Sequence, residues 1–199
     1  FQGDSLLLAR ENLLHTFEEA VRDRLNRAPA EHELLAAAEA LSWNLWQMDA
    51  VSACPPGRPE SPCRLKNWST GQTETYQALL QGQGTLRFDA VVGNPPYQRK
   101  DGGNGASASP VYPLFVQQAK ALAPRCASLI IPAKWYSGGK GLDRFRDEML
   151  HDRRISHLVD YTNSLDCFPG VDIAGGACYF LWQREYDGTC DFTNFRKGA

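Results

Sequence analysis

Apolar side chains recur at helical spacing from residue 5 to 25, SLLLARENLLHTFEEAVRDRL, with Ser5 as a cap, and again from about Ala30 in AEHELLAAAEALS after a break at Pro29. The period then changes in WNLWQMDA, which predicts a short strand ending at Asp49. Residues 54–72 are rich in Pro, Gly and Ser and predict loop, with a short strand at Arg64–Trp68. A short helix over Glu74–Gln81 precedes LRFDAVVG, whose β-branched run and flanking glycines predict a buried strand. Residues 98–110 hold the Gly, Ser and Asn of QRKDGGNGASASP, a stretch that cannot bury much and is expected to be poorly ordered. VYPLFVQQAKALA predicts a helix, CASLIIPAKWY a strand stopped by Pro132, and Leu142–Leu150 a further helix. ISHLVDYT, GGACYFLWQRE and CDFTNF predict three last strands. Strands alternating with helices imply crossovers, hence an α/β architecture with a largely parallel sheet.

Composition narrows the class. With 199 residues, 43% hydrophobic and 22% charged, the chain is long enough for one good core. No apolar run approaches the roughly 20 residues that span a bilayer, and the start lacks a basic-then-apolar leader, so the expected setting is cytoplasmic with no membrane partner. Phe1-Gln2-Gly3 reads as a tag remnant and is set aside, leaving residues 4–199 as the domain. The six cysteines form no C-x-x-C pair, which fits a reducing compartment. Cys54 and Cys63 supply at most half a zinc site, and no metal is expected. A net charge of −2 excludes a surface that is all nucleic-acid clamp, although Lys134–Arg154 carries six Lys/Arg against four Asp/Glu. Such a patch meets phosphates or is simply a solvated helix face.

The chemistry is concentrated in FDAVVGNPPYQ, where an apolar run meets Asn94-Pro95-Pro96-Tyr97. Two prolines fix φ, remove two backbone donors and push the residue before each out of helical geometry. The Asn94 amide oxygen and the Pro95 carbonyl are then two acceptors that match the two N–H bonds of an amino group on a planar ring. Hydrogen bonds to both protons would favour a tetrahedral nitrogen and aim its lone pair at an electrophile. Tyr97 offers a flat face for stacking, worth about 1–3 kcal/mol per base, against the few kcal/mol that extruding a base costs. The bland alternative is a rigid turn with a buried tyrosine.

FDAVVGNPPY resembles the catalytic motif of S-adenosylmethionine-dependent amino-methyltransferases. SPVYPLFVQQAKAL, SLIIPAKWYSGGKGLDRFRDEML and CFPGVDIAGGACYFLWQREYDG extend the likeness to the methylase portion of restriction-modification enzymes that methylate adenine N6. The resemblance implies a Rossmann-like methyltransferase sheet, S-adenosylmethionine as methyl donor, and double-stranded DNA with a flipped adenine as partner. In such systems a nuclease and target-recognition regions accompany the methylase. By position, Asn94, Pro95, Pro96 and Tyr97 would be catalytic, and Lys134, Trp135 and Phe168 would meet the substrate. A core phenylalanine would look the same at Phe168. Asp49 and Phe115 fall at cofactor positions, although Asp49 also suits a turn and a helix would bury Phe115 in any case. The glycine-rich turn of the cofactor site is not found: Gly82–Gly84 follows a helical stretch and leads into a strand, the reverse of the required order. The acidic residue expected on a second strand is likewise unassigned. The expectation is therefore a partial catalytic domain lacking its first strands and glycine-rich loop. Two alternatives remain open: the same chemistry on a protein glutamine or an RNA guanine, and a non-catalytic DNA-binding or assembly module of this fold.

Overall fold

The computed structural model describes residues 4–44, 61–68, 70–99 and 109–196. The chain divides into two units, residues 1–84 and 85–199.

In the first unit, α1 (Asp4–Leu25) and α2 (Glu31–Asn44) are the two predicted helices. Ser5 lies inside α1 rather than capping it. The start of α2 is closed by Glu33, whose carboxylate accepts the Ala30 N–H at 2.8 Å and the Arg27 guanidinium through two bonds of 2.7 Å. The Arg27 bond, then the Ala30 N–H, hold the Glu33 carboxyl down to about 2. Helix α2 runs through Trp43 and Asn44, so the strand expected from Trp43 does not begin there; the rest of WNLWQMDA, residues 45–50 with Asp49, lies outside the described residues. Cys63 is buried, and Cys54 falls outside them. The predicted loop closes on a hairpin of β1 (Arg64–Lys66) with β2 (Thr73–Thr75), and α3 (Tyr76–Leu80) comes next, capped by the Thr75 hydroxyl accepting from the Ala78 N–H.

The second unit is built on a five-stranded sheet. Its strands are β3 (Ala90–Gly93), β6 (Cys126–Pro132), β7 (Ile155–Tyr161), β8 (Ala177–Gln183) and β9 (Asp191–Phe195), in the order β3-β6-β8-β7-β9. Four strands run the same way, as a largely parallel sheet requires, and β8 runs against both neighbours. That reversal departs from strict strand–helix alternation. The link from β7 to β8 holds only a single 3-10 turn, Ser164–Asp166, and a parallel return needs a crossover of a dozen residues or more, usually a helix. A two-residue ladder, β4 (Gln98–Arg99) with β5 (Ser109–Pro110), pairs the ends of the Gly/Ser stretch, whose residues 100–108 lie outside those described.

Strand β3 is shorter than LRFDAVVG and is not buried: among the described strands it pairs only with β6, and Val92 is 75% exposed. The central strands β6 and β8 carry the core instead. Alternate residues of β6, Ala127, Leu129 and Ile131, pack with Cys178, Phe180 and Trp182 of β8 beneath α4 (Tyr112–Ala121) and α5 (Asp143–His151). The helices contribute Tyr112, Val116, Phe145 and Met149. The other sheet face stays half exposed, with Tyr161 packed against Tyr179 and Phe195 at ring separations of 6.3 and 5.1 Å. No described helix is long and apolar enough to cross a membrane.

One polar network ties α4 to the amino-terminal end of β7. Asp152 receives Lys120 Nζ at 2.9 Å, Trp182 Nε1 at 3.0 Å and Arg154 Nε at 2.7 Å, while the Arg154 guanidinium lies 4.9 Å over the Trp182 ring. Burial works against the Asp152 charge, but the bonds from Arg154 and Lys120 outweigh it and hold the carboxyl well below its usual range. A depressed folded pKa contributes stability above the unfolded value of about 4 and loses it as pH falls through the folded value. Asp152→Asn is therefore expected to cost about 2 kcal/mol or more at pH 7, with the gap to wild type narrowing below about pH 4. Urea unfolding at both pH values checks this, and a pH-independent gap contradicts it.

Candidate active site

Strand β3 ends at Gly93, paired with Leu129 of β6, and NPPY leaves from its carboxyl end. Asn94 is exposed, Pro95 buried, Pro96 exposed and Tyr97 half buried. Asn94 is thus free of packed hydrocarbon, and its amide lies close enough to the Tyr97 hydroxyl to oppose the rise in that group's pKa. Burial dominates that rise, with the Cys167 and Cys178 thiols adding to it. The Tyr97 hydroxyl is buried without a partner in hydrogen-bonding geometry among the described residues.

Tyr97 opens onto a cavity of about 880 Å³ at the carboxyl ends of β3, β6 and β7. Gln98, Ser109 and Pro110 of the β4–β5 ladder line one side, Pro132 ends β6 and Lys134 follows it, and Val171–Ala174 come from the link after β7. Tyr112, Lys140 and Leu142 complete it, with Gly139, Gly141 and a carboxylate, Asp172. The ends of parallel strands are where open α/β sheets bind ligands, and the volume falls in the usual range for such sites.

The wall after β7 is held by one hydroxyl. Ser164, 2% exposed, donates to the Val171 carbonyl at 3.0 Å and accepts the Ile173 N–H at 2.7 Å. The Ile173 carbonyl then accepts from Gly176, and the Gly176 carbonyl from the Ala133 N–H at 3.0 Å, joining this wall to the end of β6. Gly176 has φ +82°, and a Cβ there would collide with the carbonyl oxygen of Tyr161. Gly139, at φ +112°, would press a Cβ onto Leu142 at 2.6 Å.

Of the residues expected at the site, the structure brings Tyr97 and Lys134 to the cavity; Asn94, Pro95 and Pro96 precede Tyr97 in the turn and do not themselves line it. Trp135 is corrected: at 1% exposure it is core, edge-on to Phe145 at 5.7 Å and to Tyr136 at 4.5 Å, because the 3-10 turn Ala133–Tyr136 sends successive side chains in different directions. Phe168 is half buried in the Ser164 loop and lines no part of the cavity, which its neighbours Val171–Ala174 reach instead. Phe115 is half buried on α4, also away from the cavity, and Asp49 lies outside the described residues. Tyr112, Lys140 and Ile173 are lining residues that sequence reasoning passed over. The glycines around Lys140 and the VDIAGG run were the available signals.

The site thus defines a class: an α/β sheet with a proline-stiffened turn and an aromatic-walled cavity at its carboxyl edge. Residues 6–168 match the Eco57I restriction-modification methylase family, and the chain belongs to it. A curated Mycoplasma pneumoniae protein, described as an uncharacterized adenine-specific methylase, is 40% identical over 120 residues; these are 57% of this chain and 28% of that relative, so the chain spans well under half the relative's length. Among solved structures, a chain of a type I restriction-modification system is similar at TM-score 0.45 and 16% identity, covering 63% of this chain and 28% of that one. The type I methyltransferase subunit from Streptococcus thermophilus gives 0.41 and 17%, covering 59% and 29%.

Gly176→Ala is expected to destabilise the second unit by about 2–4 kcal/mol, combining left-handed strain with a backbone collision. Thermal unfolding checks this; a melting temperature unchanged within a degree or so contradicts it.

Proposed function

We propose that the protein methylates the exocyclic N6 amine of adenine in DNA, the base being flipped from the duplex into the cavity. The observation that carries this reading is the exposed Asn94 amide at the carboxyl end of β3, directly before a buried Pro95 and beside Tyr97, which lines the cavity. Membership of a methylase family supports it, as does the description of the Mycoplasma relative as adenine-specific.

On this reading the Asn94 side-chain oxygen and the Pro95 carbonyl each accept one amine N–H. That draws the nitrogen toward tetrahedral geometry and frees its lone pair for the methyl carbon. Tyr97 stacks on the base and offsets part of the cost of flipping. Lys134 and Lys140, both exposed at the cavity, suit phosphates of the displaced backbone. S-adenosylmethionine supplies the methyl group. The described cavity residues fit the planar acceptor; neither Phe115 nor Asp49 lines that space, so no seat for the donor is assigned to them. Within a restriction-modification system, a nuclease and a target-recognition region are the fitting partners.

In the full-length protein, Asn94→Ala is expected to abolish methylation while leaving DNA affinity within a fewfold of wild type; retained incorporation of tritiated methyl refutes the role. Lys134→Ala and Lys140→Ala should each weaken binding similarly across DNA sequences and reduce the slope of log K against log salt by about 1. Unchanged slopes would remove both lysines from the DNA surface.

A further inference from the structure

Tyr112 is the first residue of α4 and 3% exposed, yet it lines the cavity. Its hydroxyl is buried without a hydrogen-bond partner among the described residues. A phenol in that position costs free energy unless something satisfies it, and most buried polar groups in folded proteins are paired. The ring itself is held: Phe145 packs against it edge-on, with centroids 5.6 Å apart and planes at 85°. Its distance from Tyr97 is also fixed by the chain. Gln98 pairs with Pro110 in the β4–β5 ladder, and the Val111 N–H donates to the Tyr97 carbonyl at 3.1 Å. The ladder therefore brings Tyr97 and Tyr112, fifteen positions apart, to one cavity wall.

We propose that Tyr112 is a substrate-orienting residue whose hydroxyl donates a hydrogen bond to a ring nitrogen of the base stacked on Tyr97. This rests on the functional reading above and deepens it. Asn94 and Pro95 recognise the amine, which several bases share; a donor aimed at a ring nitrogen also sets which edge of the heterocycle faces inward. Burial supports the donor role, since it pushes the Tyr112 hydroxyl up to about 12 and keeps its proton in place at any physiological pH. Cys178 lies near enough to add to that shift, and its own thiol is pushed up to about 11 by burial, so no anion competes for the proton. The Tyr97 hydroxyl, also without a partner, faces the Asn94 amide and is the weaker candidate.

The test uses the full-length protein, S-adenosylmethionine, and duplexes carrying adenine or its 1-deaza, 3-deaza or 7-deaza analogue, each lacking one ring acceptor. On adenine, Tyr112→Phe is expected to lower kcat/KM roughly tenfold with an unchanged melting temperature. One analogue should lower wild-type turnover by a similar factor while lowering the variant barely further, as two changes to one hydrogen bond must. A variant within twofold of wild type on adenine overturns the proposal. So does a loss that persists on all three analogues, which would mark a structural role, or a wild-type enzyme indifferent to every analogue. If the wild type methylates no adenine duplex, the functional reading has failed, and the inference falls with it.

Discussion

Successive prolines cannot donate to a β-ladder, and that deficit decides where β3 stops and how the chain departs from it. The parallel register with β6 runs from Ala90 opposite Cys126 to Gly93 opposite Leu129, and there the donors run out. The chain must leave the sheet at its carboxyl edge with Asn94 outside the packing and Pro95 buried as the pivot. No helix begins at this point to absorb the Pro95 carbonyl, since the residue before each proline is excluded from helical geometry. The turn that follows is stiffened by both prolines and leads directly to Tyr97, which lines the cavity.

The rest of the second unit divides its labour along the strand axis. At the amino end of β7, Asp152 gathers Lys120, Arg154 and Trp182 into a charged knot that binds helix to sheet. At the opposite end local contacts shape the cavity wall: Ser164 closing its own loop, Gly176 letting β8 begin against Tyr161, and a two-residue ladder joining Tyr97 to the start of α4. The core lies between β6, β8, α4 and α5 and reaches the cavity through Tyr112 and Leu142.

Much of this architecture was legible because alternation and helical periodicity report burial. Residues 126–132 read as a strand and bury every second side chain, and the apolar spacing of 112–121 places Tyr112, Val116 and Ala119 inward. The NPPY turn was legible from covalent chemistry alone. Periodicity carries no strand direction, so the reversal of β8 could be seen only through the helix-free link before it. LRFDAVVG looked buried because its residues are apolar, whereas its exposure depends on neighbours that composition does not reveal; only Ala90–Gly93 find a partner among the described strands. Trp135 and Lys134 are adjacent, yet one enters the core and the other the cavity, a choice made by a single 3-10 turn. Tyr112 reads as an ordinary core position, and only the missing partner of its hydroxyl sets it apart.

The central claim is that the turn after β3 clamps an amine between a side-chain and a main-chain oxygen. The most direct measurement is a crystal structure of the full-length protein with its target duplex and a non-reactive analogue of the methyl donor. The expected result is an extrahelical adenine stacked on Tyr97, with its amino nitrogen about 3 Å from both the Asn94 Oδ1 and the Pro95 carbonyl oxygen. An adenine still paired in the duplex, or seated with its amine more than about 4 Å from both oxygens, would contradict it.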